Sequence, residues 1–270
     1  MTPRDLRHCR SLLFLPASNP RAIAKARELD ADMVILDLED AVRAEDKVEA
    51  RALALDAVAE GFGGKVVAVR INATGSPFYG EDVVCMRKCK ADYVVLPKVE
   101  SAREAASAAG LMAKPILAMI ETPRGVIDAA AIAPATRALI AGTNDLSAEL
   151  GIAPGGGRVG LVYALQRILL AARAAGVPAY DGVYNGLSDD DGLEAECGQG
   201  RAFGFDGKSA IHPSQIATVN RIFGPSDEEV AAARRLIAEA GGGAERFEGR
   251  MIEAMHVAQA QATLAKARLA

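Results

Sequence analysis

The sequence predicts a (β/α)8 TIM barrel with a C-terminal helical extension, an α/β fold, and three observations predict it. Short apolar runs alternate with capped helical segments from end to end, the pattern of parallel strands joined by helices. Eight such runs fit a chain of 270 residues, the size of one barrel. No G-x-G-x-x-G follows the first run, as a dinucleotide-binding open sheet would require.

Taken in order, Ser11 to Ala17 is the first strand, and Asn19-Pro20 supplies an N-cap and a first-turn proline for a helix carrying Ile23, Ala26 and Leu29. Met33 to Leu38 is the second strand; it leads into Glu39-Asp40 and a helix from Glu45 to Glu60, stopped by Gly61. Lys65 to Ile71 is the third, with Arg70 and Asn72 at its exit, then the turn Thr74-Gly-Ser-Pro77 and a short helix over Val83 to Lys90. Tyr93 to Leu96 is the fourth and ends in Pro97-Lys98, and Ser101 to Glu104 has the form of a capping box. Leu117 to Glu121 is the fifth, an apolar strand stopping at a carboxylate before Thr122-Pro-Arg-Gly125, with Val126, Ile127, Ala130 and Ala131 on the next helix face. Leu139 to Gly142 is the sixth and runs into Thr143-Asn-Asp145.

A glycine-rich loop from Gly151 to Gly160 precedes a helix over Val159 to Ala175, stopped by Gly176. Val177 to Val183 is a weaker seventh strand, Ser188 to Asp191 a capping signal, and Phe205 to Ile211 the eighth strand. After Pro213 a helix runs to about Phe223; Ser226-Asp-Glu-Glu229 starts another that fades in Gly241-Gly-Gly243. The expected division is a catalytic barrel over residues 1–225 and a helical extension or lid over 226–270, which caps the barrel or packs on a neighbouring subunit.

Composition bounds the partners. Half of the residues are hydrophobic and Trp is absent, so the core must be built from Ala, Val, Ile and Leu. A net charge of -4 without a long basic run argues against nucleic acid or an anionic membrane. No apolar run reaches the length of a membrane span and the start shows no convincing signal-peptide cleavage site, which predicts a cytoplasmic protein. Of the cysteines Cys9, Cys85, Cys89 and Cys197, only Cys85 and Cys89 share a helix face; without a second Cys or His pair at zinc-like spacing, reduced thiols are expected.

Side chains at the carboxyl ends of barrel strands face the active-site mouth. Here those are Glu39, Asp40, Arg70, Lys98, Glu121, Asn144, Asp145, Asp181 and Lys208. The set holds acids and cations but no histidine, which suits neither a Ser-His-Asp hydrolase nor a His-rich zinc site. It suits Mg²⁺, which takes one or two carboxylates and leaves its other positions to water and substrate. Glu121 and Asp145, from neighbouring strands, form a seat for one such ion, and Arg70 offers its fork to a substrate carboxylate. Structural alternatives stand beside each: Glu121 as a helix cap or an arginine partner, and Asn144, Asp145 or Ser147 as N-caps. Glu39 and Asp40 are adjacent, so in extended backbone only one faces the centre. Gly207-Lys208-Ser209 is no phosphate loop, since Ala202 stands where that motif needs glycine. His212-Pro213 reads as a helix start with an exposed imidazole.

Seven segments carry a family resemblance: Arg10-Ser-Leu-Leu-Phe-Leu-Pro16, Leu36-Asp-Leu-Glu-Asp-Ala-Val42, Val69-Arg-Ile-Asn72, Leu96-Pro-Lys-Val-Glu100, Ile120-Glu-Thr-Pro123, Gly142-Thr-Asn-Asp145, and Gly204-Phe-Asp-Gly-Lys208 through Ile211-His-Pro-Ser-Gln215. In this order the chain resembles the citrate lyase beta-subunit (CitE-like) family of the HpcH/HpaI aldolase and malyl-CoA lyase group. The resemblance implies a Mg²⁺-dependent carbon-carbon lyase that cleaves or forms a 3-hydroxyacyl-CoA such as malyl-, citramalyl- or citryl-CoA, giving an oxo acid and acetyl-CoA. It implies Glu121 and Asp145 as metal ligands, Arg70 as the arginine on the oxo acid together with Asn144, and Glu39 and Asp40 as the acidic pair beside the site. Gly207, Lys208, Ile211, His212 and Pro213 match the segment where relatives contact coenzyme A, with Lys25 a further candidate for its phosphates.

In malyl-CoA lyase relatives an aspartate in a C-terminal lid, often donated by the adjacent subunit of a trimer or hexamer, handles the remaining proton. The relatives' D-G-K/R-M-I-D-x-P reads here Glu248-Gly-Arg-Met-Ile-Glu253-Ala-Met255, so Glu253 keeps the carboxylate on a longer arm and the proline is lost. Other readings are an HpaI-type aldolase on a free hydroxy-oxo acid, an acyl-CoA thioesterase, a lyase subunit working in an acyl-carrier-protein complex, and a non-catalytic oxo-acid binding protein.

Overall fold

A computed structural model describes residues 5–153, 155–240 and 245–267. Eight parallel strands close into a barrel in chain order, β1 (Ser11–Pro16), β2 (Met33–Asp37), β3 (Val66–Arg70), β4 (Tyr93–Leu96), β5 (Ile116–Ile120), β6 (Ala138–Ala141), β7 (Ala179–Asp181) and β8 (Gly207–Ala210), with β8 pairing back to β1. Around them lie α1 (Pro20–Glu28), α2 (Lys47–Glu60), α3 (Tyr79–Met86), α4 (Ala102–Met112), α5 (Pro123–Ile132), α6 (Thr143–Glu149), α7 (Val162–Ala175), α8 (Asp190–Phe203) and α9 (Gln215–Phe223). The expected (β/α)8 barrel is the observed one.

The first six strands are largely apolar on both faces because both are covered. Leu12, Phe14, Met33, Ile35, Val66, Ala68, Leu117, Met119 and Ile140 fill the interior, while the alternate residues Leu13, Leu15, Val34, Leu36, Val67, Val69, Ala118, Ile120 and Leu139 pack under the helices. This period of two decides where each polar side chain at a strand end points. At the amino-terminal face Tyr180 closes the interior, its hydroxyl donating to the Leu6 carbonyl at 2.5 Å.

Local signals act largely as expected. Asn19 caps α1 by accepting from the Ala22 N–H, and Gly61 and Gly176 end α2 and α7 at positive φ. Ser101 accepts from the Glu104 N–H, but the Glu104 carboxylate returns to the Glu100 N–H, so the expected capping box is shifted by one residue. Helix α3 begins before the expected Val83, because Asp82 is drawn into the core by Arg51 Nε at 2.7 Å and by Asn72 N–H at 2.8 Å, and stops at Met86. All four cysteines are buried. No helix among the described residues is long and apolar enough to cross a membrane.

Beyond the barrel, Ser226 and Glu229 form a reciprocal capping box for α10 (Asp227–Glu239); Gly241–Gly243, where this helix is expected to fade, lie outside the described residues. The extension is not wholly helical. β9 (Glu245–Phe247) and β10 (Arg250–Ile252) form an antiparallel hairpin before α11 (Ala254–Ala267). Glu248 and Gly249, at φ 45° and 81°, make the two-residue turn whose left-handed backbone suits a hairpin.

Candidate active site

The carboxyl ends of the strands surround a cavity of about 370 Å³ lined by residues that include Phe14, Asp37, Asp40, Arg70, Met119 and Glu121 from one side and Asn144, Asp145, Ser209 and Ile211 from the other. A larger one, about 870 Å³, lies at the opposite face between the extension and the barrel floor, and holds none of the strand-end acids of the mouth.

Glu121 follows the inward-facing Leu117 and Met119, so it too points to the axis. It is only 1% exposed. Thr122, as N-cap, and Pro123 start α5 directly behind it, which ends the strand there. Oε1 accepts from the Lys98 N–H at 2.8 Å, whereas Oε2 is buried without a hydrogen-bond partner. Burial, with Asp145 nearby, pushes the Glu121 carboxyl up to about 7. The carboxylate fits only because residue 142 is glycine: a Cβ there would lie 2.3 Å from Glu121 Cβ and Oε2. Gly142 is also the N-cap of α6, which carries Asn144 and Asp145 in its first turn. Asp145 is half-buried and lies 3.4 Å from the Lys98 ammonium; Asn144 is exchanged in a two-way bond with Asn185 at 2.7 and 3.3 Å.

Arg70 ends β3 on the inward face. Asp37 takes its side fork, Nε at 2.7 Å and Nη2 at 2.5 Å, and the Phe14 ring lies 5.4 Å from the guanidinium. Burial opposes the charge, but Asp37 and Glu39 outweigh it and raise the Arg70 pKa. Glu39 Oε2 lies 3.1 Å from Arg70 Nη1, out of line for a hydrogen bond. Burial, with Asp40 and Glu121 adding to it against the pull of Arg70, raises the Glu39 carboxyl to about 8. Of the acidic pair, exposed Asp40 lines the cavity and buried Glu39 stands behind Arg70. Lys47 Nζ holds the corner between them, donating to the Leu38 and Glu39 carbonyls at 2.6 and 2.7 Å.

The chain as a whole has relatives among known proteins. Residues 10–213 match the family described as HpcH/HpaI aldolase/citrate lyase. The chain belongs to that family. Within it, residues 161–270 also match the description C-C bond lyase of the TIM-barrel fold. A (3S)-malyl-CoA thioesterase of Cereibacter sphaeroides is 42% identical over 96% of this chain and 94% of its own. A citrate lyase subunit beta-like protein of Deinococcus radiodurans is 37% identical over 94% and 96%. The crystal structure of CitE from Mycobacterium tuberculosis in complex with magnesium, acetoacetate and coenzyme A superposes with a TM-score of 0.83 at 37% identity, covering 97% of this chain and all of that one. The same protein has also been solved with oxaloacetate and magnesium, at 36% identity and a TM-score of 0.73, covering 82% of this chain and 100% of that one.

In this HpcH/HpaI family member the mouth brings Arg70, Glu121, Asn144, Asp145 and Asp40 together and keeps other expected residues away. Lys208 is wholly buried on the outward face of β8, donating to Asp181 at 3.1 Å, Glu196 at 2.6 Å and the Gly182 carbonyl at 2.7 Å. It reaches no ligand in the mouth. Gly207 starts β8 at the amino end, where a Cβ would meet the Arg10 and Cys9 carbonyls at 2.4 and 2.6 Å, so it too is a structural residue. Exposed Ile211, His212 and Pro213 do stand at the carboxyl end, and exposed Lys25 pairs with Glu28 at 2.8 Å. Glu253 is exposed beside Ile252 and His256, which line the floor cavity with His8 and Asp206 at the amino ends of β1 and β8. It therefore lies at the opposite face of its own barrel from Glu121.

Sequence reasoning missed Asp37 and Ser209. Both follow the inward register, and Ser209 Oγ is buried without a partner. The signal for Asp37 was its place two residues after inward Ile35.

Among the described residues no three or more His, Cys, Asp or Glu side chains converge as a metal cage. The two carboxylates of the mouth fit Mg²⁺ rather than a protein-enclosed ion, and the partnerless Glu121 Oε2 is the atom such an ion would satisfy.

Proposed function

We propose that this chain is a Mg²⁺-dependent carbon-carbon lyase acting on a 3-hydroxyacyl-CoA, with malyl-, citramalyl- and citryl-CoA as the candidate class, releasing an oxo acid and acetyl-CoA. The observation that carries it is the buried, partnerless Glu121 Oε2 in a cavity that Arg70 also lines. Glu121 and Asp145 would hold the ion, which supplies a Lewis acid for oxygens on which negative charge gathers. Arg70 would bind the oxo-acid carboxylate with the donors that Asp37 leaves free, Asn144 orienting beside it.

Cleavage takes a proton from the substrate hydroxyl, moves the bonding pair to the thioester α-carbon and returns a proton there. Asp40, lining the mouth, is the proposed base. Glu253 is the proposed donor to the α-carbon, acting in a neighbouring subunit because it cannot reach its own mouth; this makes the enzyme a homo-oligomer, a trimer or hexamer. Ile211, His212 and Pro213, with Lys25 on α1, are the proposed coenzyme A contacts, and the cytoplasm the proposed location.

A second reading, thioester hydrolysis of the same substrate class, is favoured by the 42% identity to a malyl-CoA thioesterase. Incubating the enzyme with malyl-, citramalyl- and citryl-CoA, each with Mg²⁺, separates the two. An oxo acid with acetyl-CoA supports the lyase; a free hydroxy acid with free thiol supports hydrolysis; neither product above the uncatalysed rate from any of the three sinks both.

A further inference from the structure

Lys98 has no task in the reactions above, yet it touches both proposed metal ligands. Three non-glycine residues among those described have positive φ: Ala113 at the end of α4, Glu248 in the hairpin turn, and Lys98 at φ 52° just after β4. A residue with a Cβ enters that region against steric opposition and stays when surrounding contacts hold it. At Lys98 those contacts are the two carboxylates. Its N–H donates to Glu121 Oε1 at 2.8 Å, and its Nζ lies 3.4 Å from Asp145 Oδ1.

We propose that Lys98 is a positioning residue and the site's resident counter-cation: its backbone orients Glu121 while its ammonium holds Asp145 until a divalent cation displaces it. This rests on the metal reading above. A divalent ion seated on Glu121 and Asp145 meets the repulsion of a neighbouring ammonium, so the two compete for Asp145. The displaced ammonium stays over a mouth also lined by Asp40. An oxo-acid anion offsets the surplus positive charge, which couples anion binding to metal binding.

The test is Mn²⁺ titration followed by electron paramagnetic resonance, with and without pyruvate, on the wild type, Lys98→Met, Lys98→Gln and Lys98→Arg. Lys98 is 40% exposed on its side chain, and circular dichroism checks that each variant folds. Both neutral variants should bind Mn²⁺ alone about two- to fivefold more tightly, the range of a half-exposed ion pair, and gain less from pyruvate than the wild type. Lys98→Arg should behave like the wild type. Unchanged or weaker Mn²⁺ binding in Lys98→Met and Lys98→Gln overturns this inference alone, whereas a wild type that binds no Mn²⁺ overturns the metal reading with it.

Discussion

Two clusters of buried charge lie on different strands of the same barrel, one at β7 and β8 and one at the carboxyl ends of β2, β3 and β5, and are built differently. On the outward side of β7 and β8, Asp181 meets Arg158 at 2.5 Å and Lys208 at 3.1 Å, and Glu196 meets Lys208 at 2.6 Å, so both carboxylates have cation partners. In the mouth, Glu121 keeps one oxygen buried and without a partner, and Glu39 Oε2 faces Arg70 out of hydrogen-bond line. Burying a charge without full compensation is costly, so carboxylates paired with cations from within suit the fold, although Arg158 Nε has no partner there, and a carboxylate oxygen left open is the one a ligand would satisfy. Gly200 and Gly142 make the same point: a Cβ at Gly200 would lie 2.6 Å from Asp181, in the closed cluster, and one at Gly142 would lie 2.3 Å from Glu121, in the open one.

Substitution separates the two clusters most sharply. Glu121→Gln should cost at least about a hundredfold in metal-dependent turnover, with urea unfolding little changed, since it removes a charge that burial opposes. Lys208→Met should do the reverse, losing about 3–5 kcal/mol in urea unfolding because Asp181 and Glu196 stay buried with one cation fewer, while turnover per folded molecule persists. A Lys208→Met enzyme that is stable but inactive would return Lys208 to the active site. Gly142→Ala comes next in size. Its Cβ must displace the Glu121 carboxylate, which predicts about 1–3 kcal/mol lost on unfolding, with weakened metal binding by calorimetry.

The smallest effect is in pH. The Glu39 and Glu121 carboxyls are raised to about 8 and about 7 from the ordinary 4.5. Without metal, the stability linked to them is complete below the ordinary value and is lost as pH rises through the raised ones. A metal needs the ionised form of Glu121, so the rise in Tm caused by Mg²⁺ should grow from about pH 6 to about pH 8.5. A rise that shrinks over that interval would contradict the protonation assigned to the mouth.

How much of this was legible follows from the same period of two. The barrel was readable because β1 to β6 are largely apolar on both faces and several helices carry their own caps. Glu121 and Arg70 were readable as mouth residues because Leu117 and Met119, Val66 and Ala68 set an inward register that they continue. The register also places Lys208 outward, opposite to Ser209, but in a short strand with few large side chains that parity is faint. The β9–β10 hairpin was hidden for another reason: its turn is Glu248-Gly249 rather than the Asn-Gly or Asp-Gly that announces one. The position of Glu253 at the barrel floor depends on packing between distant segments, which no local pattern records.

The most direct measurement of the open cluster is its metal stoichiometry. Mn²⁺ titration of the wild type should show one tight site per chain, weakened at least about tenfold in both Glu121→Gln and Asp145→Asn. A site that binds with undiminished affinity in Glu121→Gln would contradict the assignment of the partnerless oxygen to a metal.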